Sequence, residues 1–368
     1  MRLPLRLCLW LAVIVLAGIA AWRVVVGGMS DRLAADEPQQ ALAWQSNNPD
    51  ALLGLARKQL EHDGPDAAAQ TARRLLSVEP LRGEGFAILA EAAQAKGETS
   101  QAERLRAISL RRAPRDLNAR AWLAGEQLAQ GHYSEGLTSI DKILRLAPDQ
   151  SSQLFPLLIK LAERPEFADA LATELARKPA WGNGLINALL ANTESEASGH
   201  VLSALLRKEG LSNADFGKWI DRLASHGAWG EAYARWAGKI VLGKDRRLAN
   251  VYNGGFETAP SGIGFDWRMA SSAGVIVERS AGAGVSGHSA VKVTFLGRRV
   301  QTIPLSQWLM LGPGTYRLHF RAQAQDLRSD RGIQWNILCQ GSGAELVASE
   351  RLNGSFDWID EEVEFKVP

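Results

Sequence analysis

Carboxylate side chains are concentrated near the end of the chain. Five of them fall within eight positions: Asp357, Asp360, Glu361, Glu362 and Glu364. Paired carboxylates are the groups that hydrolyse glycosidic bonds, one as the acid and the other as the base or nucleophile. Charges in a strand beside a turn usually face solvent instead, and we favour that interpretation for this cluster.

Other patterns typical of catalytic or cofactor sites are either absent or lie in the wrong structural context. Gly282, Gly284 and Gly287 have the spacing of a dinucleotide-binding loop, but such a loop must lead into a helix whose N-terminus meets the phosphates. The segment that follows, residues 290–295, favours a strand. The histidines show no metal-binding spacing, and neither a phosphate-binding P-loop nor a nucleophile elbow is present. The sequence therefore predicts a protein that is not an enzyme and needs no cofactor or metal.

Two segments of alternating polarity, residues 315–323 and 332–340, could form a sugar-binding face. If both strands share a sheet, their Arg, His, Gln and Asn side chains lie on one face, where they can exchange hydrogen bonds with sugar hydroxyls. Trp267 and Trp308 are the candidate aromatic platforms. A solvated sheet face with two core tryptophans is the competing interpretation, and it is slightly favoured. The predicted glycan-binding residues are Trp267, Arg317, His319, Arg321, Gln334 and Asn336.

The chain beyond residue 250 has the composition of a β domain. Glycine, valine and threonine become more frequent, and apolar residues recur with a period of two. Many short strands separated by Gly, Pro, Asn and Ser turns indicate a β-sandwich. The predicted strands cover residues 275–278, 290–295, 300–305, 315–323, 333–339 and 363–367.

Five short motifs follow one another in this region. They are Asn253-Gly-Gly-Phe-Glu257, Phe265-Asp-Trp267, Gly287-His-Ser-Ala-Val-Lys-Val293, Gly312-Pro-Gly-Thr-Tyr-Arg-Leu-His-Phe-Arg-Ala322, and Trp358 with Phe365-Lys-Val-Pro368. Their order resembles the jelly-roll carbohydrate-binding modules found beside glycoside hydrolases, which implies a glycan-binding sandwich over residues 250–368. Such modules usually continue with a loop and a closing strand. We therefore expect either a sandwich without its last strand or a fragment of a longer chain.

Residues 49–148 repeat at an interval of 34 residues. Four sets of residues share this interval: Leu55, Leu89 and Leu123; Ala56, Ala90 and Ala124; Ala68, Ala102 and Gly136; and Pro80, Pro114 and Pro148. Small residues at fixed places allow paired helices to approach closely. Gly64, Gly97 and Gly131 can turn the chain between the helices, and the prolines can end each second helix. The pattern predicts a stack of three helix pairs.

This pattern resembles the tetratricopeptide repeat, whose period is also 34 residues. The leucine, small-residue and proline places of that family match in all three units, but its aromatic places do not. Those places hold Leu52, Phe86 and Arg120, then Gln59, Ala93 and Gln127, then Ala72, Arg106 and Ile140. The resemblance implies a solenoid that binds a segment of a protein partner in a concave groove. The alternative is an ordinary helical bundle with a chance period.

Residues 149–245 keep helical apolar spacing but lose the period. We expect degenerate repeats that continue and cap the stack. The predicted helices cover residues 151–163, 165–177, 185–192, 196–208, 213–225 and 229–242. Trp181, Trp219 and Trp236 are expected in the core rather than on a ligand-binding surface.

Residues 1–26 have the composition of a membrane anchor. Arg2 and Arg6 precede an apolar run from residue 7 to 22, and valines extend it beyond Arg23. A helix of ~20 residues spans the hydrocarbon region, and positive charge before it keeps the N-terminus inside. We expect a single-pass protein of a bacterial cytoplasmic membrane whose C-terminal part is periplasmic, or, alternatively, a secreted protein with a cleaved signal peptide. Residues 27–48 are expected to form a linker.

The charge balance argues against nucleic acid as a partner, because a net charge of +2 is spread along the chain without a basic block. Cys8 and Cys339 lie in different predicted domains, so an intrachain disulfide is not expected. The predicted fold class is multidomain: an N-terminal transmembrane helix, an all-α tetratricopeptide-like solenoid, and an all-β jelly-roll sandwich.

The predicted function is a membrane-anchored, extracytoplasmic scaffold for the assembly or export of cell-surface polysaccharide. Its predicted partners are a protein in the repeat groove, a polysaccharide on the sandwich and the membrane. Two alternatives stay open. One is a glycoside-active enzyme with an accessory sandwich, and the other is a purely structural interaction protein that binds no sugar.

Overall fold

A computed structural model describes residues 3–242, 248–281 and 287–368 of the chain. Helices come first along the chain and short strands follow. The chain divides into two compact units. The helical unit contains residues up to 189 and residues 196–210, whereas the mixed unit contains residues 190–195 and 211–368. The mixed unit thus combines the last pair of helices with the described strands.

The first helix, α1 (Leu3–Leu33), is followed by the short helix α2 (Pro38–Trp44). Buried polar groups fix the end of α1. Ser30, which is fully buried, donates from Oγ to the carbonyl of Ala41 at 3.0 Å. Asn48 Nδ2 donates to Ser30 Oγ at 2.9 Å and to Asp31 Oδ1 at 2.7 Å. This network joins the end of α1 to the start of the first repeat.

The expectation of a membrane anchor over residues 1–26 is wrong. Within the part of the chain that the structure describes, no helix is both long enough and apolar enough to cross a membrane. The helix that contains the apolar run also contains Arg23 and continues to Leu33. Its last turns carry Ser30 and Asp31, whose hydrogen bonds hold it to the repeats. The predictions of a single-pass topology and of a periplasmic location depended on this span, so they are wrong as well.

Three helix pairs follow and confirm the prediction of a helical, tetratricopeptide-like solenoid. They are α3 (Pro49–His62) with α4 (Pro65–Val78), α5 (Gly83–Ala95) with α6 (Thr99–Arg112), and α7 (Leu117–Ala129) with α8 (Tyr133–Leu146). Gly64, Gly97 and Gly131 turn the chain within each pair at φ values of +96°, +79° and +79°. Only glycine adopts such left-handed values without steric cost, which explains why it recurs there. Each closing proline lies two residues beyond the second helix.

The small residues of the repeat lie at helix contacts, as predicted. Ala56, Ala90 and Ala124 on the first helices are at most 3% exposed, and Ala68 and Ala102 on the second helices are fully buried. At the place equivalent to Ala68, a Cβ atom added to Gly136 would lie 2.6 Å from Leu128 Cδ2. The helices therefore approach closely because these side chains are small.

Four more helices occupy the segments predicted between residues 151 and 208. They are α9 (Ser151–Leu161), α10 (Pro165–Ala176), α11 (Gly182–Ala191) and α12 (Glu196–Arg207). The ring of Tyr133 on α8 meets Phe167 on α10 edge to face, with centroids 5.4 Å apart. Trp181 is buried, and its Nε1 donates to Asp141 Oδ1 at 3.0 Å. These contacts extend the core beyond the three regular repeats.

The mixed unit begins with a further helix pair, α13 (Asn213–Ser225) and α14 (Trp229–Leu242). Trp219 and Trp236 are buried, as expected for core residues. The ring of Trp236 lies 5.1 Å from that of Tyr252 and 5.5 Å from that of Phe265. The last helix therefore shares its core with the residues that precede the first strand.

Eight strands follow within residues 248–281 and 287–368, and they pair antiparallel, two by two. The pairs are β1 (Arg268–Met269) with β4 (Leu305–Ser306), β2 (Val275–Ala281) with β3 (Ser289–Phe295), β5 (Gly314–Leu327) with β8 (Gly354–Val367), and β6 (Asn336–Leu338) with β7 (Glu345–Ala348). Most predicted strands are present. Of the strand expected at residues 300–305, only the last residue is in a strand, at the start of β4. Of the strand expected at 333–339, only the three residues of β6 are.

The jelly-roll sandwich is not confirmed. Among the described strands each ladder has two members, and no ladder closes into a larger sheet. Alternating polarity predicts which face of a strand is buried but not which strand lies beside it, so the sheets could not be deduced from the pattern. Gly282 and Gly284 of the dinucleotide-like spacing lie outside the described residues.

Candidate functional site

A cluster of four side chains lies on the surface of the second and third repeats. Helix α5 supplies Glu91 and Gln94, which are one turn apart, α6 supplies Arg106, and α7 supplies Trp122. The guanidinium carbon of Arg106 lies 4.3 Å from the centroid of the Trp122 ring. Arg106 Nη1 also donates to Gln94 Oε1 at 3.3 Å. We call these four residues the Arg106 cluster.

Arg106 occupies a place that the other repeats fill with buried apolar residues. The equivalent residues are Ala72 and Ile140, which are 0% and 3% exposed. A buried guanidinium without partners would be costly. In the second repeat the side chain instead extends over Trp122 and remains half-buried. The repeat loses an apolar contact at this place and gains a polar surface feature.

Desolvation dominates the electrostatics of this cluster. It raises the pKa of Glu91 above its ordinary value, although the positive charges of Arg106 and Arg57 oppose the shift. Desolvation also lowers the pKa of Arg106, against the charges of Glu91, Glu126 and Glu103. Glu91 is exposed and Arg106 is half-buried. The two groups of opposite charge are thus only partly desolvated, and a contact of either group with a charged ligand is stronger than it would be in bulk water.

The Arg106 cluster contains groups that can bind a ligand, but it contains no groups arranged to make or break covalent bonds. It offers a flat aromatic face, a planar guanidinium, an amide and a carboxylate, which together donate and accept hydrogen bonds. It contains no nucleophile activated by a neighbouring base. In residues 3–242, 248–281 and 287–368, no group of three or more His, Cys, Asp or Glu side chains is arranged to hold a metal ion.

A cleft of about 510 Å³ lies elsewhere in the helical unit, beside α8 and the end of α10. Most of the charged side chains that line this cleft are paired with one another. Arg145 Nε lies 2.7 Å from Asp141 Oδ2, and Arg177 Nη1 lies 2.9 Å from Glu174 Oε2. Asp141 also accepts the hydrogen bond from Trp181 and so supports the core. We therefore regard this cleft as secondary to the Arg106 cluster.

The predicted glycan-binding residues of β5 lie on its exposed face, as their alternation indicated. All three are paired with carboxylates of β8. Arg317 pairs with Glu362, and the other two share one carboxylate. His319 Nε2 lies 3.3 Å and Arg321 Nε lies 3.0 Å from Asp360 Oδ1. The acidic cluster at the end of the chain thus supplies partners to the basic face across the ladder.

The structure does not bring the remaining predicted residues into one sheet with β5. Gln334 and Asn336 belong to the segment of β6, which pairs with β7, and Gln334 Nε2 donates to Asn336 Oδ1 at 3.2 Å. Trp267 is only 8% exposed, and its Nε1 donates to the carbonyl of Asn253 at 3.2 Å. Its ring packs against Trp335, with centroids 5.8 Å apart. The predicted set is therefore spread over an exposed face, a second ladder and the core.

The residues of the Arg106 cluster were not predicted as a site. Two departures from the repeat pattern could have found them: Arg106, and Gln94, whose equivalent places hold Leu60 and Leu128. A charged residue in an otherwise apolar repeat place requires either a buried partner or a local surface, and both alternatives indicate something specific to that unit.

No family model matches the chain, and no curated protein matches it. Solved structures with some likeness include YrrB, described as a TPR protein with an unusual peptide-binding site, at 11% identity and a TM-score of 0.30 over 56% of this chain and 93% of that chain. MamA has 17% identity and a TM-score of 0.27 over 47% of this chain and 84% of that one. PilF of Pseudomonas aeruginosa has 16% identity and a TM-score of 0.26 over 54% and 78%. Likenesses at this level carry no argument here.

The chain's own repeats therefore define its class. Three helix pairs at a 34-residue interval, with left-handed glycines and closing prolines in register, make it a helical-repeat protein of the tetratricopeptide-like type. Further helices and a region of small strands follow the repeats.

Proposed function

We propose that the helical unit is an interaction scaffold that binds a segment of a partner protein at the Arg106 cluster. The observation that carries this proposal is the half-buried ring of Trp122 with the Arg106 guanidinium stacked on it at 4.3 Å. Tryptophan and arginine dominate the energetics of protein interfaces, because each combines a large contact area with directional hydrogen bonding. An Arg–Trp stack at the surface is thus a ready anchor for a partner.

The neighbouring side chains add hydrogen-bonding groups to this anchor. Glu91 and Gln94 lie one turn apart on α5, and their oxygens can accept hydrogen bonds from the backbone of an extended segment. The partial desolvation of Glu91 and Arg106 reduces the further cost of removing water when a partner binds. A peptide-sized segment fits this combination better than a small metabolite, since the cluster lies on a helix surface rather than in a pocket.

Site-directed photocrosslinking in cells tests the proposal. Gly125 follows Trp122 by one turn on α7 and is exposed, and a Cβ atom added there meets nothing within 4 Å. A photoreactive benzoylphenylalanine at position 125 should capture one discrete protein partner. Trp122→Ala in the same chain should abolish that product.

Two controls make the outcome specific. The same photoreactive residue at the exposed position of Thr173 on α10 should not give the product. Trp44→Ala removes a tryptophan that is 43% exposed on α2, outside the cluster, and should leave the product at position 125 unchanged. Identical products from positions 125 and 173, or a product that persists in Trp122→Ala, would rule out the cluster as the binding site.

Sugar binding by the β region, and with it a role in polysaccharide assembly, remains a prediction of the sequence resemblance. Neither the ladder of β5 and β8 nor the position of Trp267 adds support to it, so we do not advance it as a second function. Titration of the full chain with bacterial polysaccharides, beside an Arg321→Ala, Gln334→Ala double variant, tests it directly. Binding by the parent at millimolar concentration and loss in the double variant would support the hypothesis.

A further inference from the structure

Four arginines form an unpaired basic surface on the second repeat. Arg104 lies on α6, Arg111 and Arg112 lie in its last turn, and Arg115 lies in the connection to α7. All four are exposed, and in the described structure none forms a hydrogen bond or an ion pair. We call this group the α6 arginine surface.

The carboxylates that lie next to these arginines in the sequence, Glu103 and Asp116, form no ion pair with them within the described residues. Asp116 is the N-cap of α7, and its Oδ1 accepts hydrogen bonds from the backbone N–H groups of Asn118 and Ala119. Glu103 precedes Arg104 in the chain but forms no ion pair within the described residues. The surface therefore keeps nearly all of its positive charge.

The repeat fold does not require arginine at these places, and the other repeats show this directly. One period earlier, the equivalent residues are Gln70, Ser77, Val78 and Leu81. One period later, they are Thr138, Arg145, Leu146 and Asp149. In the first repeat the same helix and turn thus form with uncharged side chains, and the third repeat has a single arginine at these places, Arg145. Four unpaired arginines therefore occur in the second of the three repeats alone.

Arg111 and Arg145 occupy equivalent places, but of the two only Arg145 forms an ion pair in the described structure. Arg145 is neutralised by Asp141, which lies one turn earlier on the same helix at 2.7 Å. The place equivalent to Asp141 in the second repeat is Ala107, which cannot pair with Arg111. A cation near a helix C-terminus is favoured by the helix dipole, but this effect does not explain Arg104 in the middle of α6 or Arg115 beyond its end.

From these observations we infer that the α6 arginine surface binds an acidic segment of the protein partner. Arg104 and Arg111 are two helical turns apart and lie on one side of α6, about 10 Å from each other along its axis. About three residues of an extended chain cover this distance. Guanidinium groups also match carboxylates in geometry as well as in charge. A short run of glutamate or aspartate residues therefore fits the surface.

This inference rests on the proposed function, because it takes the acidic segment to belong to the protein held at the Arg106 cluster. A nucleic acid is the less suitable occupant. The surface is limited to one helix and one turn, and the whole chain carries a net charge of only +2. Binding to a phosphate backbone depends on many such contacts along an extended charged track.

The test measures binding of a fluorescein-labelled hexaglutamate peptide to the full chain by fluorescence anisotropy at low salt. Replacement of three arginines, Arg104→Gln, Arg111→Gln and Arg115→Gln, should weaken binding about tenfold. Binding by the parent chain should weaken steeply as salt rises, since exposed charges are screened. Circular dichroism of each variant verifies folding, and the three single substitutions replace the triple variant if it does not fold.

The matched control removes the same number of positive charges from other exposed places of the helical unit. It carries Arg73→Gln, Arg145→Gln and Arg177→Gln, and both triple variants have the same net charge. Binding of hexaglutamate to this control should stay within about twofold of the parent, because its three arginines lie outside α6, and Arg145 and Arg177 are already paired with Asp141 and Glu174.

Three results would overturn the inference: no binding of hexaglutamate by the parent, equal weakening in the two triple variants, or tighter binding of a twelve-residue thymidine oligonucleotide than of hexaglutamate. The crosslinking experiment at position 125 separates this outcome from failure of the proposed function. A specific crosslink at position 125 without hexaglutamate binding overturns the acidic segment alone. Hexaglutamate binding that depends on the α6 arginine surface, without a crosslink at position 125, overturns the Arg106 cluster instead.

Discussion

The helix pairs of the helical unit and the strand pairs of the mixed unit differ in how far apart the paired elements lie along the chain. Consecutive helices of the repeats pack on one another, so each element finds its partner next to it in the chain. By contrast, β5 pairs with β8 across two intervening strands, with Tyr316 opposite Phe365 and Arg321 opposite Asp360. A repeat period specifies both the face and the partner of an element, whereas alternating polarity specifies only the face.

The change in amino-acid composition along the chain does not coincide with the start of the mixed unit. The change from helical to strand-like composition comes near residue 250, but the last helix pair belongs to the same compact unit as the strands. Aromatic rings make this connection, since Trp236 on α14 packs against Tyr252 and Phe265. The comparison can therefore be tested by removing one packing residue from each unit.

Trp236→Ala should have the largest effect. The side chain is 2% exposed, and replacing a buried tryptophan with alanine typically costs about 3–5 kcal/mol of unfolding free energy. Because this ring joins α14 to the residues before β1, we expect α13, α14 and the strands to lose stability together. Hydrogen exchange of their backbone amides in increasing denaturant measures both the size and the extent of the loss.

The amides of α3 to α8 should be unaffected by this substitution, since they belong to the helical unit. Leu338→Ala, which truncates a side chain that is 55% exposed, serves as the control and should change exchange little. If Trp236→Ala destabilised the helices of the mixed unit but not its strands, the two would be separate cooperative units after all.

Much of the helical fold was predictable because its signals are local. Glycines at positive φ, prolines beyond helix ends and small residues at contacts are visible in the sequence, and the structure confirms them at Gly97, Gly131 and Ala124. The pairing of the strands was not predictable, since it depends on contacts between distant segments. The anchor was overpredicted because an apolar run was considered without the polar contacts that hold its helix end to the repeats.

The second substitution tests the helical unit. Ala124 is 3% exposed at a contact between helices, so Ala124→Phe should force the helices apart and cost about 1–3 kcal/mol of unfolding free energy. Thermal melting followed by circular dichroism should show a lower midpoint for the repeats. The strand amides of the mixed unit should exchange as in the parent.

Gly125→Ala is the matched control on the neighbouring position. The added methyl group meets open space, and alanine is favoured over glycine inside a helix by roughly 0.5–1 kcal/mol. This variant should melt at the same temperature as the parent or slightly higher. An Ala124→Phe chain that melts like Gly125→Ala would mean that the 34-residue register assigns the wrong residues to the helix contact.

The candidate site was harder to predict than the fold, because its residues come from three helices and belong to no motif. Glu91 is an ordinary surface position of a repeat, and Trp122 lies at a place that holds the buried Ile88 in the second repeat. Arg106 and Gln94 depart from the pattern, since the places equivalent to Gln94 hold leucine in the other two repeats. The sequence alone does not show that these two side chains meet each other. The substitution with the smallest expected effect addresses this interaction.

Glu91→Gln tests whether the Arg106 cluster is desolvated. The ordinary carboxyl pKa is 4.5, and in the folded chain desolvation raises the pKa of Glu91 above it. The folded state therefore binds the proton more tightly than the unfolded state does, and ionised Glu91 lowers stability. This loss is absent well below pH 4.5, develops as the pH rises through the folded-state pKa, and is complete above it.

Glu91→Gln should thus melt at a slightly higher temperature than the parent at pH 7, and the difference should vanish as the pH falls below 4.5. Glu163→Gln, at an exposed carboxylate after α9, removes the same charge outside the cluster and should not reproduce this pH-dependent gain. A Glu91→Gln chain that melts lower than the parent at pH 7 would mean that attraction to Arg106 and Arg57 outweighs desolvation. The cluster would then be a hydrated ion pair rather than a surface prepared for a partner, and the comparison with the buried apolar residues Ala72 and Ile140 would need another explanation.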